Sequence, residues 1–169
     1  MKPFPTTLAA CLAVLAATTG ASAEADYLTR FEGQFSGSGT VQRDVDPQPR
    51  RVSCQVNGTL PSETELDISG SCRAAVVFTR QIGAQIRYDP SSESFSGVYI
   101  GGATGPAQLS GGRLSGDTLT MTLTYPAPVF GDSTATMTIR AGSNGFSFTV
   151  TDQVNGENVS TTDIQLSSR

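Results

Sequence analysis

This sequence predicts an all-β fold, an antiparallel meander of about nine to ten strands forming a small curved barrel or sandwich held by one disulfide. Three observations predict it. Apolar and polar residues alternate with period two over many short segments, and no helical period runs through the chain beyond residue 23. Gly, Asn, Asp or Pro breaks the alternation roughly every 8 to 12 residues, the spacing of strands in a sandwich or barrel. Two cysteines, Cys54 and Cys72, fall in neighbouring segments of the pattern.

The first 23 residues stand apart from that pattern and predict a secretory signal peptide, leaving residues 24–169 as a single all-β domain. Lys2 supplies a short positive start. Leu8 to Ala17 is an apolar run about half the ~20 residues needed to span a bilayer. Ala21-Ser22-Ala23 is an A-x-A cleavage site, so the mature chain would begin at Glu24 and be periplasmic or secreted. Leu8-Ala9-Ala10-Cys11 offers a rival reading as a lipobox, with lipidation of Cys11 tethering the protein to the envelope; most of the apolar run would then follow the cleavage point, which disfavours it.

Cleavage removes Lys2, the only lysine, so ten arginines face 15 carboxylates. That acidic balance argues against nucleic acid and anionic membrane surfaces as partners. An even pair of cysteines in an exported chain predicts a Cys54–Cys72 disulfide.

In chain order, residues 31 to 42 alternate Phe31, Gly33, Phe35, Gly37, Gly39 and Val41, a glycine-rich strand that predicts curvature, a bulge or close approach of another backbone. Asp44 to Arg50 reads as a loop. Strands at about 51 to 60 and 64 to 73 carry the cysteines, with Leu60-Pro61-Ser62 between them as a hairpin signal. Segments 75 to 80 and 82 to 88 read as one strand bent near Gly83. Strands at 94 to 101 and 106 to 114 follow. Residues 118 to 125 form the clearest strand, with Leu119, Met121, Leu123 and Tyr125 on one face and Thr118, Thr120, Thr122 and Thr124 on the other. Pro126 and Pro128 assign 126 to 132 to a loop. Ala135, Met137 and Ile139 then oppose Thr134, Thr136 and Thr138. Phe146, Phe148 and Val150 form the inner face of 146 to 152, Asn155-Gly156 signals a hairpin turn, and a last strand covers about 159 to 166.

The chemistry such a chain can carry is bounded by what it lacks. It has no histidine and no tryptophan. This excludes a Ser-His-Asp triad and histidine-ligated zinc or haem, and the disulfide leaves no cysteine nucleophile. No cofactor or metal is expected and no catalytic residue is assigned. Glu63, Glu65 and Asp67 share one strand face; a solvated acidic face explains them better than calcium, which wants six to eight oxygens. Asp152 to Asn158 fails as a calcium loop because Val154 and Gly156 occupy positions that need oxygen ligands. Asp152, Asp163 and Glu32 are carboxylates available for glycosidase chemistry, although nothing in the sequence pairs them. The threonine faces can order water or meet glycans, or simply reflect threonine's fitness for exposed strands. The aromatics Phe31, Phe35, Phe78, Tyr88, Phe95, Tyr99, Phe146 and Phe148 are candidates to line a ligand cavity, Phe31, Phe35, Tyr88, Phe95 and Tyr99 foremost, against the alternative that they only fill the core.

Gly33-Gln34-Phe35-Ser36-Gly37-Ser38-Gly39-Thr40-Val41, Val52-Ser53-Cys54, Gly70-Ser71-Cys72-Arg73 and the recurring Ser-Gly pairs together resemble small exported all-β proteins of alphaproteobacteria. That resemblance implies a periplasmic setting and a disulfide, and carries over no catalytic residues.

The expectation is therefore a periplasmic, non-enzymatic barrel that binds a small apolar or amphipathic ligand or an envelope component. A protein-interaction module, such as a disulfide-stapled inhibitor or an envelope assembly factor, is the alternative; its candidate surfaces are loops 44–50 and 126–132. A carboxylate-based hydrolase is the third reading.

Overall fold

Alternation gives each strand one apolar face, and ten such strands close on one another in the computed structural model, which describes residues 20–75 and 78–169. The expected signal peptide lies mostly outside the described residues, as does Cys11. A short helix, α1 (Gly20–Thr29), leads into β1 (Gly33–Val41), β2 (Arg50–Ser62), β3 (Glu65–Ala74), β4 (Phe78–Asp89) and β5 (Ser94–Ile100). Then follow β6 (Ala107–Ser115), β7 (Thr118–Val129), β8 (Asp132–Gly142), β9 (Gly145–Val154) and β10 (Glu157–Ser168). Each strand pairs antiparallel with its sequence neighbour, and β1 also pairs with β10, Val41 opposite Thr162. Between barrel and sandwich, the chain adopts the closed barrel, which leaves no free strand edge among the described residues.

The predicted faces hold. Leu119, Met121, Leu123 and Tyr125 of β7 and Ala135, Met137 and Ile139 of β8 are buried inside. The threonines face outward and line up across strands, Thr120 opposite Thr138, Thr122 opposite Thr136, and Thr136 in turn opposite Thr151 of β9. Cys54 and Cys72 sit directly opposite one another on β2 and β3 and form the disulfide, both side chains buried. Asn155 and Gly156 both take positive φ, 54° and 85°, as a two-residue hairpin turn requires. In β1, a Cβ on Gly37 or Gly39 would lie 1.8 or 2.0 Å from the carbonyl oxygen of Gln165 or Asp163, so the glycines permit the close strand approach that closes the barrel.

Three features differ from expectation. β7 runs through Pro126 and Pro128 to Val129; its pairing with β8 is interrupted between Thr124 and Val129, where the prolines need donate nothing. The β2–β3 turn falls at Glu63-Thr64 rather than at Leu60-Pro61-Ser62. The third is α1. Only Glu24–Thr29 of its ten residues lie beyond Ala23, a stretch too short to display a helical period, and tertiary contacts hold it.

Those contacts make α1 a plug at the barrel end formed by turns 63–64, 90–93, 116–117 and 143–144. Leu28 and Phe31 are buried, and Tyr27 donates its hydroxyl proton to the Ile139 carbonyl at 2.9 Å. Phe31 meets Tyr27 and Phe146 edge to face at centroid distances of 4.9 and 5.1 Å. Arg30 pairs with Asp117 and donates to the Gly142 carbonyl at 3.1 Å, fastening the helix to two of the turns.

Candidate functional site

With one end plugged, the barrel interior opens at the other, among loops 42–49, 101–106, 130–131 and 155–156. The opening leads to a cavity of about 570 Å³. That size suits a small organic molecule; ligand cavities commonly hold roughly 300–1,000 Å³. Its far end is apolar, with Val56, Ile139, Phe146 and Leu166, and Phe146 separates it from the packing beneath α1. Val52, Cys72, Ala84, Tyr99, Phe148 and Val150 contribute to the walls, so the disulfide borders the cavity.

Polar groups gather towards the open end. Each continues an inward-facing strand register past its last apolar residue: Arg43 follows Phe35 and Val41, Arg50 precedes Val52, and Asp152 follows Val150. Loop 42–49 is tied down by Asp46, whose carboxylate accepts from Arg43 Nε at 2.8 Å, Arg43 Nη2 at 2.7 Å and Arg50 Nη2 at 2.6 Å. The hydrogen bond from the Arg43 guanidinium, above all, holds this carboxyl well below the usual carboxylate range. Arg80, across the mouth, donates to the Gly102 carbonyl.

Deeper in the wall, Asp152 is 2% exposed. Its Oδ1 accepts from the Tyr125 hydroxyl at 2.8 Å and its Oδ2 from the Thr161 hydroxyl. A register shift between Ser160 and Thr162 brings Thr161 into this group, burying two consecutive threonines. Burial raises the Tyr125 pKa, and the charge of Asp152 raises it further. Burial pushes the Tyr99 hydroxyl up to about 12, with Arg80 opposing.

Of the eight aromatic candidates, Phe78, Tyr99, Phe146 and Phe148 line the cavity, Tyr99 tilted against Phe148 at 5.4 Å. The structure places Phe31, Phe35, Tyr88 and Phe95 together in the packing behind α1; Phe35 meets Phe146 at 5.0 Å and Tyr88 meets Phe95 at 4.8 Å. It does not bring the three carboxylates together: Asp152 faces inward, while Asp163 and Glu32 are exposed. On the outer acidic face, Glu65 accepts from Arg87 at 2.8 Å. Among the described residues, no group of three or more His, Cys, Asp or Glu is placed to hold a metal ion, and no helix is long and apolar enough to cross a membrane. The large apolar side chains that stay exposed among the described residues, Val45 (72%), Phe78 (65%) and Ile100 (43%), all lie around the mouth.

The barrel resembles a solved structure. The crystal structure of Rv2717c from M. tuberculosis is similar with a TM-score of 0.59 and 13% identity, over 90% of this chain and 98% of that one. The likeness is one of fold. No family model and no curated protein matches the sequence.

Proposed function

We propose that this protein is an exported, non-enzymatic binder of a small amphipathic molecule, with the apolar part in the barrel and the polar part near the mouth. The observation that carries the reading is the cavity itself, about 570 Å³, apolar at its far end and entered from one side. The disulfide supports an oxidising compartment such as the periplasm. Native mass spectrometry of the mature protein, gently released from its own cells, tests both parts. The expected result is a chain beginning at Glu24 with a reproducible small-mass adduct. Ala84→Phe, which fills the cavity, should abolish the adduct while far-ultraviolet circular dichroism stays unchanged. An adduct-free native protein that takes up no apolar probe would refute the binding reading.

Val45, Phe78 and Ile100 favour a second reading, in which a protein partner docks on the rim. Loop 42–49 and the β7–β8 hairpin stand at this same end. Val45→Asp with Phe78→Asp should release a co-purifying partner; retention of the partner would remove the rim from consideration.

A further inference from the structure

We infer that Asp152 is the head-group site of the cavity and that it selects ligands carrying a hydrogen-bond donor, a protonated amine best, over ligands ending in a carboxylate. The inference rests on the ligand-binding reading and names the chemistry the site prefers.

Asp152 is almost fully buried in the cavity wall, yet both its hydrogen-bond partners are neutral hydroxyls, Tyr125 and Thr161. The ion pairs among the described residues involve Asp117, Asp46 and Glu65, and none reaches Asp152. A carboxylate accepts about four hydrogen bonds, so acceptor capacity remains on this buried group. A donor entering beside it would make a charge-assisted hydrogen bond in a low-dielectric setting. A ligand carboxylate would put like charges together there instead.

The arginines of the mouth argue less strongly for the opposite preference. Arg43 and Arg50 share Asp46, and Arg80 is solvent-exposed and already donates to Gly102. The charge of exposed side chains is screened by water and salt, whereas the Asp152 carboxyl is buried away from both. The polarity of the cavity fixes the ligand's direction: from Asp152 near the open end, an alkyl chain runs towards Ile139, Phe146 and Leu166.

Isothermal titration of the mature, oxidised protein with decylamine, decanol and decanoate at neutral pH tests this. The amine should bind at least tenfold more tightly than decanoate, with the alcohol between them. Asp152→Asn keeps the side-chain shape and should reduce the amine's advantage at least tenfold. Decanoate binding as tightly as the amine to the unaltered protein would overturn the inference while leaving the cavity reading intact, and needs no variant. An undiminished amine preference in folded Asp152→Asn would overturn it too. Failure of all three probes to bind would instead count against the ligand-binding reading beneath it.

Discussion

Reduction of the Cys54–Cys72 bridge isolates one contribution to stability because it changes little in the folded state. The two residues are directly opposed in a ladder that runs from Val52–Ala74 to Thr59–Asp67. Those backbone pairs hold the cysteines adjacent with or without the S–S bond. The effect of the bridge therefore lies in the unfolded chain, where it closes a loop of sequence separation 18. The chain-entropy model gives about 3 kcal/mol for such a loop. For a domain of roughly 150 residues, where 1 kcal/mol corresponds to about 3 °C, the melting temperature should fall by about 10 °C. Reduction is a cleaner perturbation than Cys→Ala, because Cys54 is buried and Cys72 lines the cavity, so truncation would remove packed atoms as well. Urea unfolding of the oxidised and reduced forms, followed by far-ultraviolet circular dichroism, measures the difference directly. Coincident midpoints would refute the loop-entropy argument. A collapsed urea dependence in the reduced form would show that the bridge, and not the strand ladder, maintains the folded barrel.

The plug and the tyrosines make further predictions. Phe31→Ala leaves a void between Tyr27 and Phe146 and should lower stability by about 3–5 kcal/mol in urea; a loss below about 1 kcal/mol would mean that α1 is not docked. All four tyrosines have raised pKa values, with burial the largest cause for each, and Tyr99 stands at about 12. The folded protein therefore keeps phenolic protons that the unfolded chain releases near pH ~10. Stability should be unaffected below that pH and fall as pH rises from 10 through 12. A tyrosinate absorbance titration that shows ordinary phenols in the folded state would contradict this. Gly156→Ala, at φ 85°, should cost about 1 kcal/mol by straining the β9–β10 turn, and a neutral result would argue against that turn geometry.

The barrel wall was legible in the sequence because each strand has one buried face and a period-two pattern records it. Leu119 to Tyr125 and Ala135 to Ile139 could be assigned to the interior from alternation alone, and Asn155-Gly156 announced its turn through the positive φ values it accommodates. Closure was less legible. It depends on Val41 meeting Thr162 across nearly the whole chain, and a local pattern carries no record of that pairing. The plug left still less trace. Among the described residues its buried side chains are Tyr27 and Leu28, with Phe31 just beyond the helix, too few to set a helical period and adjacent to a segment that reads as an export signal.

The site was half legible, for a reason that also explains why the aromatics divided as they did. Inward register says which residues face the barrel interior but not at what height, and height decides between packing and cavity. Phe31 stands beside α1 and Phe35 faces Phe146, so both are consumed by the plug, while Tyr99, near the other end, remains at the cavity wall. The same register contained the polar half of the site. Asp152 is the next inward position after Phe146, Phe148 and Val150, a carboxylate in phase with an apolar face, and Tyr125 closes the corresponding series on β7. That both lie near the mouth follows from their positions at the ends of strands pointing the same way as the open loops. Thr161 has no such signal, since only the irregular pairing after Ser160 turns it inward. An ionisable residue in phase with a barrel's apolar face, close to the unplugged end, is thus the sequence feature that marks where the ligand's polar group would meet the wall.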